Sequence, residues 1–292
     1  MLRTHEMDLQ TDVLRVLEET SRTFHISITR LPSKLQEAAT AAYLSMRALD
    51  EIEDHIGLNN ACKEKLLRNV SRVLQSHTGL DFTHFDFETF FHPYQNELPE
   101  VTLRIGEWLS YPPENIAPCI WYAAAAMADR MAYWVRHNWR IRTEVDLNRY
   151  TFDVAGAVGL LSCDLWSWYN GRQIDHTFAI QLGRGLQAVN ILRNREEDIQ
   201  RQVDFYPLGW RQEDMLSYTH SNLNRAKEKL KFIPRDAFVY LFEIPLVLAE
   251  ATLDALENGE AKLTRGQVRQ IIKELDERRE HDNGQNCMAS SE

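Results

Sequence analysis

Apolar residues recur along this chain at helical spacing and almost never alternate as they would in a half-buried strand. Leu9, Val13, Val16 and Leu17 predict a first amphipathic helix ending near Thr20. Pro32-Ser33 marks the next start, with Ser33 as N-cap, and an alanine-rich helix follows as far as Asp54. Gly57 to Asn60 break the pattern. It resumes over 63–74, over 98–109 up to the stop at Tyr111-Pro112-Pro113, and over 117 to about 140. Further helices are expected over 147–168, from Ile174 past Asp198, and near 212–231, 236–257 and 265–280. Residues 81–93 are dense in aromatics and alternate, but an isolated strand in a helical protein has no partner, so a packed loop or short helix is expected there. His84 and His92 in that stretch have no third metal ligand near them. The fold class is therefore all-α. One domain is expected over 1–280, with a polar, disordered tail over 281–292.

Two of these helices carry polar stripes within apolar runs. In the stretch 187–198, at about 100° per residue, Asn190, Asn194 and Glu197 share one face with Asp198 at its edge. In the stretch 43–54, Asp50 and Asp54 lie one turn apart, with Tyr43 above them and Arg47 beside them. Facing each other across a cleft, such helices suit a hard divalent cation. Mg²⁺ prefers oxygen ligands and is typically held by one or two carboxylates and completed by substrate phosphates. Acidic pairs at i, i+4 are more often a solvated face. Here Arg47 and Arg193 stand within the same stripes, which is wasteful on a surface and useful for gripping phosphate.

Composition narrows the classes. The 292 residues include only 12 Gly and 9 Pro, and 44% are hydrophobic, which favours one continuous helical domain with a substantial core. A formal charge of −10 disfavours nucleic acid and anionic membrane as main partners, and an anionic substrate would then need metal to approach. Cys62, Cys119, Cys163 and Cys287 follow no metal-ligand or paired pattern, so reduced thiols and a cytoplasmic location are expected. No secretory signal is expected from the start at Met1-Leu2-Arg3, and these 292 residues hold no run of roughly 20 apolar ones. Gly156 and Gly159, inside a helical pattern, call for the close approach of a neighbouring helix or of a ligand chain.

Several motifs together resemble the squalene and phytoene synthases, which are all-α trans-prenyl transferases. They are Ser21-Arg22-Thr23-Phe24, Tyr43 to Asp54 with its Asp-x-x-Glu-Asp, Tyr150 to Gly159, Gln187-x-x-Asn190-Ile-Leu-Arg193 ending at Asp198, and Phe205-Tyr206-Pro207. The resemblance implies a central prenyl-diphosphate cavity in which Asp50 and Asp54 ligate Mg²⁺ with Glu53 in support. Mn²⁺ is an alternative metal, and use of NADPH is left open. It further implies a second metal wall of Asn190, Asn194 and Asp198, and a diphosphate grip by Ser21, Arg22, Arg47 and Arg193, oriented by Tyr43 and Gln187. Tyr150, Val154, Ala155 and Gly159 would face the cation or the prenyl tail, with Phe24 beside them and Tyr206 on a loop over the site; Tyr240 is one more polar aromatic within possible reach. One departure matters: Asn194 stands where the synthases carry the first aspartate of a second pair. That loss of charge points to members resembling farnesyl diphosphate phosphatase, hence to hydrolysis of farnesyl diphosphate to farnesol. Head-to-head condensation to squalene, dehydrosqualene or phytoene is the alternative, and a non-catalytic prenyl-diphosphate-binding or scaffold protein the second. Some family members end in a membrane anchor and this chain is expected to lack one, which leaves peripheral membrane contact for product release.

Overall fold

In the computed structural model, residues 2–76, 87–233, 237–260 and 262–289 are described, and among them there is helix and no strand. Among the described residues fourteen α-helices build a main apolar core and a small second cluster of Ile244, Leu248, Ile272 and Leu275: α1 (Leu2–Thr20), α2 (Arg22–Ile28), α3 (Ser33–Asp54), α4 (Asn60–Ser76), α5 (Phe87–Phe91), α6 (Glu100–Leu103), α7 (Ile105–Ser110), α8 (Ala117–Arg136), α9 (Glu144–Thr151), α10 (Ala157–Asn170), α11 (His176–Gln200), α12 (Gln212–Leu230), α13 (Tyr240–Glu257) and α14 (Arg265–Ala289). The all-α expectation holds. His84 and the aromatics of 81–86 lie outside the described residues, as do residues 290–292. α14 stays helical beyond residue 280, into the polar C-terminal segment.

Local chemistry explains most of the boundaries. Ser21 caps α2, its Oγ accepting from the Phe24 backbone N–H at 3.2 Å. Ser33 is not the cap of α3; Pro32 occupies that position, and the Ser33 hydroxyl donates to Glu37 at 3.0 Å. The single helix expected over 98–109 divides at Arg104. There the Trp108 indole donates to the Val101 carbonyl at 2.8 Å, taking an acceptor that a regular helix would use, and the Arg104 guanidinium lies 4.6 Å over the Trp108 ring. α8 ends at Arg136, earlier than its apolar pattern suggests, because Asn138 and Trp139 turn left-handed at φ 52° and 45°. A capping box of Thr143 and Asp146 starts α9, and Gly171 at φ 73° ends α10.

The helix expected over 147–168 is split by a π-helical segment, Phe152–Gly156, between α9 and α10. Its glycines answer to a neighbouring helix. A Cβ on Gly159 would lie 2.5 Å from the Ala179 carbonyl oxygen of α11, and one on Gly183 of α11 would lie 2.6 Å from the Ala155 carbonyl oxygen. Backbone meets backbone on both sides of this crossing, and neither side can yield as a side chain can. Gly183→Ala should therefore lower stability by about 1–3 kcal/mol or more, whereas Gly266→Ala, with its nearest atom at 3.9 Å, should be neutral or slightly stabilising. Thermal or urea denaturation of the two variants checks this, and equal midpoints would refute it.

Candidate active site

α3 and α11 run along opposite sides of a cleft whose free space is about 1080 Å³, its open mouth included. Below, the walls are apolar: Ile28, Met46 and Met127 on one side, Val154, Ala155 and Gly159 of the π segment and α10 on another, and Leu241 and Phe242 of α13 at the end. Above, Tyr43, Arg47 and Asp50 of α3 face Gln187 and Asn190 of α11. Phe24 joins this lining, its ring 5.2 Å from that of Tyr43. An apolar well with a charged and amide rim is what a prenyl chain with a diphosphate head requires.

The polar groups at the rim are tied in distinct ways. Arg193 Nη2 donates to Asn190 Oδ1 at 3.0 Å and its Nε to Asn194 Oδ1 at 3.1 Å, so one guanidinium holds both amides. Arg47 pairs with Glu51 and reaches Asp50 only loosely, at 3.9 Å, and its buried Nε has no partner among the described residues. Burial pushes the Asp50 carboxyl up to about 7; Arg47 opposes that rise, and Asp54 and Glu51 add to it. Asp54 is exposed at the mouth, where Arg201 Nη1 lies 3.4 Å from its carboxylate and Nη2 pairs with buried Asp198. Arg201 thus stitches the ends of the two helices together.

A scan against family models matches residues 17–213 to Squalene/phytoene synthase. The chain belongs to the squalene/phytoene synthase family. The squalene synthase of Schizosaccharomyces pombe is 30% identical over 88% of this chain and 63% of its own length. The phytoene synthase of Thermus thermophilus is 25% identical over 67% of this chain and 58% of its own. The chain thus spans less than two thirds of the curated relatives' length. Among solved structures, a ligand complex of TcSQS superposes with a TM-score of 0.68 at 22% identity, covering 91% of this chain and 85% of that one. A dehydrosqualene synthase complex superposes at 0.56 and 17% identity, covering 96% and 99%. These likenesses bear on the fold, which is the helical isoprenoid-synthase fold.

Within this family member, other candidate residues occupy different places. Glu53 is buried, accepting from the Trp139 indole at 2.6 Å while Lys63 Nζ donates to its backbone carbonyl at 2.6 Å, so its carboxylate is committed to Trp139. Tyr150 is buried, stacked 4.7 Å from Phe205 and edge-on to Trp134 at 5.4 Å; burial first, then Glu53 and Asp54, push its hydroxyl well up. Tyr206 lies beneath the Arg195 guanidinium, 3.8 Å from it, on the loop after α11. Ser21 acts as the α2 cap, and the Arg22 side chain lies outside the described atoms. Tyr240 does not line the cleft; Arg30 lies 4.9 Å over its ring.

Sequence reasoning missed Arg201 and Trp139. Arg201, three residues beyond Asp198, was findable by helical spacing. Trp139 was not, because its approach to Glu53 depends on the left-handed turn after α8. Among the described residues no three His, Cys, Asp or Glu side chains meet at one point. A cation here would take part of its ligands from substrate, and a pair such as Asp50 and Asp54 fits the mode of Mg²⁺.

Asp50 yields a pH prediction. A folded-state value near 7 against an ordinary 3.8 means that the metal-free fold loses stability as pH rises between those values. The stability advantage of Asp50→Asn over the parent should grow from about pH 4 to about pH 7 and then level off. Melting curves in EDTA across that range measure it, and a pH-independent difference would overturn the assignment.

Proposed function

We propose that this protein ionises an allylic prenyl diphosphate with Mg²⁺ and joins two such substrates head to head. The observation that carries this reading is the apolar well under a rim of Asp50, Arg47, Gln187 and Asn190, the last bonded to the exposed Arg193. Asp50 and Asp54 would hold the metal, which when bound neutralises the departing diphosphate. Arg47, whose Nε has no partner among the described residues, and Arg193 would grip phosphate oxygens as the C–O bond breaks. The apolar walls keep water from the allylic cation, and the Phe24 and Tyr43 rings beside the rim offer it π-faces.

The relatives named above are synthases, and they favour condensation over the release of farnesol inferred from Asn194. Hydrolysis stays as the second reading on one observation: the Asn194 amide carries no charge and is bonded to Arg193, which leaves Asp198 as the only carboxylate among Asn190, Asn194 and Asp198 of the α11 wall. A weaker wall disfavours holding two diphosphates at once.

Incubation with farnesyl diphosphate and Mg²⁺, with and without NADPH, followed by gas chromatography with mass detection, decides between them. A thirty-carbon hydrocarbon or cyclopropyl diphosphate is the expected product. Farnesol as main product would transfer the conclusion to hydrolysis, and neither released diphosphate nor thermal stabilisation by substrate would make the protein a non-catalytic member. Asp50→Asn should reduce turnover on the order of 10²-fold or more, and near-normal turnover in that variant would remove Asp50 from the mechanism.

A further inference from the structure

A second cleft opens on the other face of α11. By helical spacing Gln181 and Arg184 project away from the stripe of Gly183, Gln187 and Asn190 that lines the prenyl cleft. They enter a space of about 890 Å³, mouth included, bounded by α9, α12 and the loop carrying Trp210. Unlike the prenyl cleft it is polar, with Arg225, Ser221 and Asn148 among its lining.

Two buried groups in it are unsatisfied. Arg184 Nε and Gln181 Oε1 are shut off from water and have no hydrogen-bond partner among the described residues, not even each other. Burial without a partner is penalised for either group, so two on one wall call for an explanation. Some of the other polar groups are engaged: the Tyr218 hydroxyl donates to Asn148 Oδ1 at 3.1 Å and lies 3.1 Å from the Thr151 hydroxyl, while one oxygen of the Asp214 carboxylate accepts from the Arg211 backbone N–H at 2.8 Å. Trp210 packs its ring 5.9 Å from that of Tyr218, adding an aromatic surface.

We propose that this cleft binds a small phosphomonoester bearing hydroxyl or amino donors, at a site separate from the prenyl cleft. Two guanidinium forks, Arg184 and Arg225, match a phosphate. The exposed carboxylates of Glu144 and Asp214, the latter through its second oxygen, match donors on the rest of the ligand. The formal charge of the lining, two arginines against two acids, favours such a mixed ligand over a bare anion. The site does not depend on the reaction assigned to the other face of α11.

Titration calorimetry and thermal shift on the full chain, with AMP, glycerol 3-phosphate and inorganic phosphate as probes, test this. Saturable binding of at least one ester is expected, weakened about tenfold or more in Arg184→Met and in Arg225→Gln, and unchanged in Arg193→Gln at the prenyl cleft. Tighter binding of AMP than of glycerol 3-phosphate would assign the second contact to the Trp210 ring, and equal binding to hydroxyl donors alone. Should Arg184→Met fail to fold, the exposed Arg225 carries the comparison. Absence of binding by both esters overturns the proposal. So does binding that survives Arg225→Gln and is lost in Arg193→Gln, and so does inorganic phosphate binding as tightly as the esters, an adventitious ion only.

Discussion

Carboxylates gathered inside an apolar helical bundle repel one another and resent the loss of water, and the shape of this molecule follows from how that problem is met. Four of them lie in the neighbourhood of the cleft between α3 and α11 without meeting at one point: Asp50, Glu53, Asp54 and Asp198. Each is handled differently. Glu53 is bonded by Trp139, Asp198 pairs with Arg201, and Asp54 reaches both water and Arg201. Asp50 receives the least, a loose contact with Arg47, and burial pushes its carboxyl up to about 7. The uncompensated group is the one that lines the cavity.

Holding those charges in register requires a rigid wall, and close helix packing provides it. α11 lies against the π segment and α10 at a distance only glycine permits, with Gly159 and Gly183 on opposite sides of the crossing. The π segment places Val154 and Ala155 along the cleft while Gly156 and Gly159 stay free for contact. Packing and cavity are therefore made by the same five or six residues, and a methyl group added to the crossing would move both. α11 also has a second wall on its reverse face, so whatever shifts it acts on two clefts.

Much of this was legible in the sequence, for definite reasons. Helical periodicity is a local property, so α3, α8 and α11 were visible as repeats of apolar residues, and the stripes of Asp50 with Asp54 and Asn190 with Asn194 followed from spacing alone. What was hidden depended on contacts distant in the chain. The break at Arg104 follows from an indole finding a carbonyl, and the early end of α8 from Trp139 turning back to Glu53. Glu53 looked like a ligand because it sits between two others; its commitment to an indole eighty-six residues away leaves no trace in local pattern. The glycines of α10 could be noticed, but whether a helix or a ligand approached them needed the fold.

The two walls differ in kind, and that difference bears on the proposed chemistry. On α3 the groups facing the cleft are carboxylate and arginine; on α11 they are the amides of Gln187 and Asn190, Asn190 being held together with Asn194 by Arg193, while Asp198 is turned to Arg201. Negative charge able to attract a divalent cation is therefore concentrated on α3. Positive charge able to meet phosphate is distributed over both walls, in Arg47 and Arg193. A diphosphate lying between them would meet metal on one side and guanidinium on the other. Replacing aspartate by Asn194 then removes repulsion from the arginine side more than it removes a ligand from the metal side, because an amide oxygen can still accept from Arg193 as it does here. In the proposed reaction the amide would be compatible with ionisation, and the product would be decided lower in the cleft, by what the apolar walls hold next to the cation.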